Sequence, residues 1–261
     1  MGLLDGKSGV LFGASRGIGE GIAIKLGSEG ANLVLCSRDT NRINEKVVPQ
    51  IKQANSKAKI IVMECNIKNE EEIEKVVDKA MSEFGCIDIA VNNSGIMKDA
   101  GTKIEDFDPD LFNDVYSTNV RGYFLCLKHE IRAMKKCLEG KGEEQMGSIV
   151  NVSSTMGITA LTKMPGCAIY ASTKSSINMM TKYAAMENGD KIRVNAVNPG
   201  IVESNMTEMI DEEQASKQQF IGRKGRPIEI GNLTAFLLSD QASLITAETH
   251  VIDGGWALTC P

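Results

Sequence analysis

A glycine-rich turn near the N-terminus constrains the fold of this chain more than any other feature. Gly13, Gly17 and Gly19 follow a short apolar run and open a helical pattern. Glycine permits positive φ and close backbone approach, and the free N–H groups at a helix N-terminus attract phosphate. The turn therefore predicts a strand-to-helix connection that binds the phosphates of a dinucleotide. Its spacing, GxxxGxG, is not the better-known GxGxxG, and alone it is also compatible with a turn without ligand.

Short apolar runs alternate with longer helical patterns along the chain. The candidate strands are Lys7–Phe12, Ala31–Cys36, Lys59–Glu64, Ile87–Asn92, Gly147–Ser153, Ile192–Asn198 and Thr249–Asp253. The candidate helices are Gly17–Ser28, Thr40–Asn55, Asn69–Phe84, Pro109–Leu138, Ala168–Asn188 and Pro227–Ser239. Most strands are apolar nearly throughout, as expected when both faces are covered. The alternation predicts an α/β fold with a doubly wound parallel sheet of about seven strands between two helical layers. With no break in composition, we expect one domain over residues 1–261.

Three stretches do not fit regular elements. Glu139–Met146 is charged and contains glycine, which favours a surface loop, and Ile158–Cys167 is predicted to be a loop just before Tyr170. Ser204–Lys224 is polar with scattered apolar residues and is predicted to form short helices that cover a substrate.

Composition limits the classes of partner. A net charge of −5 disfavours nucleic acid or an anionic membrane, and no apolar run approaches the roughly 20 residues that span a bilayer. The first ten residues lack the apolar core of a signal peptide. The seven cysteines are scattered, without a CxxC pair, so we expect mostly buried thiols in a cytoplasmic protein. We expect no metal site.

Tyr170 and Lys174 lie one helical turn apart in the sequence Tyr-Ala-Ser-Thr-Lys, so both side chains face the same way. A free tyrosine has a pKa of about 10, and a nearby cation favours the phenolate and lowers that value. The pair therefore indicates proton transfer at a carbon–oxygen bond. A Tyr-x-x-x-Lys pattern alone also occurs by chance on helices.

Several motifs occur in order along the chain. They are Gly-Ala-Ser-Arg-Gly-Ile-Gly at 13–19, Asn-Asn-Ser-Gly at 92–95, Ser154, Tyr-x-x-x-Lys at 170–174, Asn-Pro-Gly at 198–200 and Asp-Gly-Gly at 253–255. This ordered set, which covers essentially the whole chain, resembles the short-chain dehydrogenase/reductase family. The resemblance implies a Rossmann-type fold with a seven-stranded parallel sheet, a nicotinamide cofactor and a dimer or tetramer.

The resemblance also implies catalytic roles. Tyr170 would exchange a proton with the carbonyl or alcohol oxygen, and Ser154 would hydrogen-bond the same oxygen. Lys174 would bind the hydroxyls of the nicotinamide ribose, and Asn119 would complete a water relay to this lysine. The cofactor supplies the hydride.

Two features of this region are less regular. Ser153 is also a strand-end hydroxyl, but Ser154 fits the Ser-x-x-Gly pattern of the family with Gly157. Ser154 and Tyr170 are separated by more residues than is common in the family. The extra residues fall in Ile158–Cys167 and are predicted to alter the wall of the substrate pocket.

Two arginines bear on the choice of cofactor. Arg16 lies in the glycine-rich turn, and Ser37-Arg38 follows the second strand, where a planar guanidinium suits a ribose 2′-phosphate. Family members with this pattern bind NADP(H), so NADP(H) is favoured and NAD(H) stays possible. Asp39 argues in the other direction, because its carboxylate could bind the ribose hydroxyls and so favour NAD(H). The arginines could also be ordinary surface charges.

Further cofactor contacts follow from the resemblance. They are Gly13, Ser15, Gly17, Ile18, Gly19, Asn66, Ile67, Asn93, Ser94, Gly95, Pro199, Gly200, Val202 and Ser204. Three of these depart from the usual family residue: Asn66 replaces aspartate beside the adenine, Ser94 replaces alanine, and Ser204 replaces threonine. The amide oxygen of Asn66 can still accept a hydrogen bond from the adenine amino group.

The predicted reaction interconverts a ketone and a secondary alcohol, with a small-molecule substrate that the sequence does not identify. One alternative is a 3-oxoacyl-thioester reductase acting on an acyl-carrier protein, which is acidic and would need a basic docking surface. Lys135, Lys136, Lys191 and Arg193 could form one, whereas the acidic loop at Glu139–Met146 argues against it. A second alternative is a non-catalytic protein that binds the cofactor; such a protein should have lost Ser154, Tyr170 or Lys174.

Overall fold

Strands and helices alternate along the chain. The computed structural model describes residues 2–140, 142, 146–160 and 166–259. The strands of this described part are β1 (Ser8–Phe12), β2 (Asn32–Ser37), β3 (Ile60–Glu64), β4 (Ile89–Asn92), β5 (Gly147–Val152), β6 (Ile192–Pro199) and β7 (Thr249–Ile252). Its α-helices are α1 (Gly17–Ser28), α2 (Thr40–Arg42), α3 (Val48–Ala54), α4 (Glu70–Phe84), α5 (Pro109–Tyr116), α6 (Gly122–Leu138), α7 (Ala168–Asn188), α8 (Glu212–Gln218) and α9 (Pro227–Leu238). Single 3-10 turns occupy Ile104–Asp106, Thr155–Gly157, Asn205–Thr207, Asp240–Ala242 and Trp256–Thr259.

The strands form one parallel sheet in the order β3-β2-β1-β4-β5-β6-β7. Val10 at the centre of the sheet pairs with Val34 on one side and with Ala90 on the other. The predicted doubly wound parallel sheet of the Rossmann type is confirmed, and the predicted strands differ from the observed ones only at their ends. The strand order reverses between β1 and β4. Ligands of such sheets bind at this point, beyond the carboxyl ends of the strands.

Helices cover both faces of the sheet. Leu11 and its neighbours on one face pack against α1, α3 and α9, whereas Val10 and Phe12 pack on the other face against α4, α6 and α7. Because successive side chains of a strand point to opposite faces, β1 needs apolar residues throughout. Its five residues are all buried.

Two of the predicted helices contain a π-helical turn. The predicted helix Thr40–Asn55 is interrupted by a π turn at Ile43–Val47, between α2 and α3. The predicted helix Pro109–Leu138 has one at Ser117–Arg121, between α5 and α6. Single π turns often occur at functional sites, and the second turn carries Asn119.

Parts of two predicted loops lie outside the described residues. They are residue 141 and residues 143–145 of the predicted surface loop, and residues 161–165 of the loop before Tyr170. Within the described chain, no helix combines the length and the apolarity that crossing a bilayer requires. Cys36, Cys65, Cys126, Cys137 and Cys167 are buried.

Candidate active site

A crevice of about 750 Å³ opens at the carboxyl ends of β1 and β4. The predicted site residues that line it are Gly13, Ser15, Arg16, Gly17, Ile18, Ser37, Arg38, Asn66, Ile67, Asn93, Ser94, Gly95, Tyr170, Lys174 and Ser204. They come from the ends of the first four strands, from α7 and from the segment after β6. The fold thus brings most of the predicted cofactor contacts to one place.

The other predicted residues lie behind or beside the crevice wall. They are Gly19, Asn119, Ser154, Pro199, Gly200 and Val202. Gly19 is needed for packing, since a Cβ there would lie 1.9 Å from the carbonyl oxygen of Gly13. Val202 is buried among apolar side chains and pairs with Gly225 through backbone.

The glycine-rich turn leaves the start of α1 open to a ligand. Gly13 has φ +89°, and a Cβ on it would lie 2.7 Å from the hydroxyl oxygen of Ser94. Arg16 precedes α1 and makes no side-chain hydrogen bond to its first turn. The first N–H groups of the helix therefore have no side-chain cap, and their partial positive charge suits a pyrophosphate. This part of the crevice fits a dinucleotide.

The charges after β2 are arranged so that one arginine is unpaired. Asp39 accepts from the Arg16 guanidinium at 3.1 Å through one oxygen, and from the backbone N–H of Arg42 at 3.1 Å through the other. Arg42 also donates to the carbonyl of Ser15 at 2.9 Å. Arg38 is exposed, and the described chain offers its guanidinium no hydrogen bond or ion pair. Arg38 is thus free to meet a phosphate, whereas both oxygens of Asp39 are engaged.

Sequence reasoning missed several residues of the crevice. They are Cys65, Ile96, Met97, Lys98, Thr118 and Val152. Most of them adjoin residues that were predicted, so the rule that ligands lie beyond the carboxyl ends of strands could have found them. Asp39 and Ser153, which the sequence offered as alternatives, and Asn205 and Met206, from the predicted substrate cover, also line the crevice. Asn66, which was predicted, uses its amide oxygen to accept from the backbone N–H of Lys68 at 3.2 Å.

Tyr170, Lys174 and Ser154 meet at the inner end of the crevice. Tyr170 and Lys174 are 7% and 3% exposed. The ammonium of Lys174 donates to the carbonyl of Val152 at 3.0 Å and lies 5.5 Å from the ring centre of Tyr170. The hydroxyl of Ser154 lies near the phenol of Tyr170 and favours its ionised form. A phenol and a hydroxyl therefore face one point, with an ammonium nearby.

Burial dominates the ionisation of this group. It raises the pKa of Tyr170 above its usual range; the nearby Ser154 hydroxyl offsets part of this rise, and Cys167 and Asp99 add to it. Burial lowers the pKa of Lys174 to about 7. The expected lowering of the Tyr170 pKa by Lys174 is not observed: the pKa is raised, burial is the largest cause, and Lys174 is not among the groups that shift it.

Asn119 joins three parts of the site. Its side chain accepts from the backbone N–H of Ile96 at 2.9 Å and donates to the carbonyl of Ile96 at 2.8 Å and to the hydroxyl of Thr173 at 3.1 Å. It therefore ties the loop after β4 to the π turn and to α7. Its predicted role in a water relay stays a prediction.

The segment 204–224, the cover segment below, is closed at its base. Val202 pairs with Gly225, and the buried side chain of Gln219 bonds both the N–H and the carbonyl of Ile201, at 2.9 and 3.3 Å. Met206 reaches the crevice, whereas Met209 is exposed. The cover segment contains the predicted short helices, but its movement over a substrate stays a prediction.

An apolar wall stands beside Tyr170. Met156, Cys167, Ile201 and Trp256 are buried together with the tyrosine. Met97, from the loop after β4, packs against them. Of these residues, Met97 and Tyr170 line the crevice, and the others support the tyrosine from behind.

Comparison with known proteins gives consistent matches over nearly the full chain. A family model described as enoyl-(acyl carrier protein) reductase matches residues 13–257. The 3-oxoacyl-[acyl-carrier-protein] reductase FabG of Staphylococcus aureus (strain Mu50) is 34% identical over an alignment of 253 positions, which covers 95% of this chain and 97% of that protein. Versicolorin reductase stcU of Emericella nidulans is 33% identical over an alignment of 269 positions with gaps, which covers 97% of this chain and 96% of that protein.

Solved structures agree in fold. A short-chain type dehydrogenase/reductase from Mycobacterium marinum superposes with a TM-score of 0.88 at 30% identity, covering 99% of this chain and 97% of that one. The 3-ketoacyl-(acyl-carrier-protein) reductase of Brucella melitensis, complexed with NADH, has a TM-score of 0.87 at 32% identity. It covers 97% of this chain and 99% of that one.

Proposed function

The chain belongs to the short-chain dehydrogenase/reductase family, and from this premise we propose that it is an NADPH-dependent oxidoreductase that interconverts a ketone and a secondary alcohol. Enzymes of this family act on small molecules with NAD(P)(H) and are commonly oligomeric. The proposal is carried by Tyr170 and Lys174, which line the crevice beyond the carboxyl ends of β1 and β4, and by the Ser154 hydroxyl near the phenol of Tyr170.

Each of these residues has a defined task in the proposed reaction. Tyr170 donates its phenolic proton to the carbonyl oxygen, while the Ser154 hydroxyl holds the same oxygen and stabilises the charge that develops there. Lys174 reaches into the crevice, where it can bind the ribose hydroxyls of the cofactor. The bound nicotinamide supplies the hydride. Because burial raises the pKa of Tyr170, this side chain is protonated near neutral pH, which is the form that reduction requires.

The pairing of charges after β2 supports NADPH over NADH. A ribose 2′-hydroxyl is commonly held by an acidic residue, whereas a 2′-phosphate is held by arginine. Here both oxygens of Asp39 have partners, and Arg38 is exposed without one. Arg38 is therefore the side chain that we assign first to the 2′-phosphate, and Arg16 would join it by releasing Asp39.

Replacing Arg38 by aspartate should weaken NADPH binding by roughly tenfold or more, since a hydrogen bond to a charged group contributes roughly 1.5–3 kcal/mol. Fluorescence titration of the purified variant with NADPH would measure this loss. NADH serves as the internal control because it lacks the 2′-phosphate, so its affinity should stay equal or rise. Equal NADPH binding by variant and wild type would contradict the assignment of Arg38.

Reduction of a 3-oxoacyl thioester is a second candidate, because the Staphylococcus aureus relative carries that name. The proposed basic docking surface is smaller than the sequence suggests. Lys135 and Lys136 are exposed near the end of α6. Arg193, however, is 4% exposed and donates to the carbonyls of Leu237, Ser239 and Ile245, so it cannot contact a carrier protein.

NADPH oxidation across a panel of carbonyl compounds should separate the two candidates. The panel would set acetoacetyl thioester beside cyclic, aromatic and sugar-derived ketones. We expect turnover of at least one free ketone, with a higher kcat/KM than for the thioester, because the buried Arg193 leaves a carrier protein only a small basic docking surface. A strong preference for the thioester would favour the second candidate. Cofactor binding without turnover of any compound would favour a non-catalytic protein.

A further inference from the structure

The helix that carries Tyr170 and Lys174 begins without a cap from the residue before it. Cys167 precedes α7 and makes no side-chain hydrogen bond to its first turn, although the first N–H groups of a helix need acceptors. The acceptor is instead the carboxylate of Asp99. Its Oδ2 accepts from the backbone N–H of Ile169 at 2.8 Å and from that of Tyr170 at 3.0 Å. A loop residue 71 positions upstream of Tyr170 thus caps this helix.

The capping carboxylate is deeply buried. Asp99 is 1% exposed, and its second oxygen, Oδ1, has no hydrogen-bond partner in the described residues. The partial positive charge of the helix N-terminus stabilises a carboxylate, but burial with one unpaired oxygen is costly. The bonds to Ile169 and Tyr170 are therefore the main favourable interactions of this side chain.

Backbone contact holds the same loop against the start of α7. Gly166, just before the helix, has φ +77°, and a Cβ on it would lie 2.4 Å from the backbone nitrogen of Thr102. That nitrogen in turn donates to the carbonyl of Asp99 at 2.9 Å. No side chain fits between the two segments, so the loop and the helix start are packed backbone to backbone.

The loop that bears Asp99 is also part of the crevice wall. Ile96, Met97 and Lys98 line the crevice, and Asn119 holds both backbone groups of Ile96 while bonding Thr173 on α7. The loop is therefore fixed to α7 at two levels, by Asn119 at Thr173 and by Asp99 at the first turn.

We propose that Asp99 is a positioning residue that sets the start of α7 and thereby places the Tyr170 hydroxyl against the reacting oxygen. The inference rests on the proposed function, in which Tyr170 is the proton donor. One of the two N–H groups that Asp99 holds belongs to Tyr170 itself, so a shift of the carboxylate reaches this residue directly. A misplacement of about 1 Å can cost on the order of 100-fold in rate.

Substitution of Asp99 by alanine should lower kcat on the order of 10- to 100-fold. Asp99→Asn keeps an oxygen that accepts both N–H groups, so it should retain kcat within about threefold. The NADPH dissociation constant should change much less than kcat in both variants, because the glycine-rich turn and Arg38, which are assigned to the phosphates, lie outside the loop that bears Asp99. Steady-state kinetics with cofactor titration would show this split between kcat and binding.

Asp108→Ala is the matched control. Asp108 caps α5 and accepts from the N–H groups of Asp110 and Leu111, at 2.6 and 3.3 Å, so its loss removes the same number of capping bonds from a helix without a proposed catalytic residue. It should lower the melting temperature and leave kcat unchanged. The proposal is overturned if Asp99→Ala keeps wild-type kcat, if Asp99→Asn loses as much as alanine, or if Asp108→Ala loses kcat equally.

The variant Asp99→Glu and amide hydrogen exchange test the role of Asp99 independently of Asp99→Ala kinetics. If Asp99→Ala does not fold, Asp99→Glu takes its place; it keeps the charge but displaces the carboxylate by one methylene, and full kcat in it would overturn the proposal. Amide hydrogen exchange at Ile169 and Tyr170 should be faster in Asp99→Ala and unchanged in Asp108→Ala; unchanged exchange in Asp99→Ala would also overturn it. Hydrogen exchange needs no substrate, so it tests the capping of α7 by Asp99 even if the wild type shows no turnover. Absence of turnover in the wild type would contradict the proposed function and not the role of Asp99 at the start of α7.

Discussion

Tyr170→Phe should fold and bind NADPH normally and yet lose nearly all turnover. The phenyl ring fills the same buried space among Met156, Ile201 and Trp256, so packing is preserved and only the proton donor is removed. General acid catalysis contributes on the order of 10²- to 10⁴-fold, and kcat should fall by this amount. Stopped-flow or steady-state NADPH oxidation with the best ketone of the panel would measure it.

Tyr183→Phe is the control for this loss. Tyr183 lies on the same helix, α7, but is 55% exposed, so removal of its hydroxyl should leave kcat unchanged. Both variants should show the far-UV circular dichroism and the NADPH affinity of the wild type. Substantial turnover by Tyr170→Phe would exclude Tyr170 as the proton donor.

Lys174→Met should also abolish most turnover, but it should stabilise the fold. The loss of kcat is expected to be on the order of 100-fold or more, as for other charged groups that act in a site without water. The gain in stability follows from the burial that lowers the pKa of Lys174 to about 7. At or below that pH the folded protein holds a poorly solvated ammonium, which methionine replaces with an apolar group of similar length. The carbonyl of Val152 keeps a donor, the hydroxyl of Tyr123 at 2.9 Å.

The pH dependence of this gain has a defined sign. Between pH 7 and pH 10.5 the folded wild type has released the proton of Lys174 while the unfolded chain still binds it, so the free energy of unfolding of the wild type rises across this range. The advantage of Lys174→Met should therefore be largest at or below pH 7 and shrink as the pH rises. Denaturant unfolding of both proteins at about pH 6 and about pH 9 would test this. A variant that is less stable than the wild type at the lower pH would contradict it.

The sheet could be predicted from sequence because its determinants are local. β1 and β2 each have an apolar centre, residues 10–12 and 33–36, and the glycines after β1 mark both the end of a strand and the start of a helix. The π turns could not be predicted, since the turn at Ser117–Arg121 is fitted to a partner, the backbone of Ile96, that lies far away in the chain. Propensity within the segment favours an uninterrupted helix.

The sequence predicts those site residues that belong to a local motif at the end of a strand. It does not predict properties that depend on contacts with distant segments. Gly13, Asn93 and Tyr170 line the crevice as the motifs predict. The burial of the Arg193 side chain depends instead on three carbonyls of distant segments. The direction of the Tyr170 pKa shift depends on how completely the fold removes water from the phenol. The local sequence indicates neither property.

The closed base of the cover segment has a consequence for divergence within the family. Val202 and Gly225 meet directly, and Gln219, from within the cover segment, bonds the backbone of Ile201. The ends of the segment are therefore joined by contacts that need Gln219 but no other side chain between them. Insertions, deletions or exchanges inside such a surface excursion leave the register of β6 and β7 untouched. If the cover segment contacts the substrate as predicted, substrate range can change in evolution, or be exchanged by grafting, while the proposed catalytic residues stay in place.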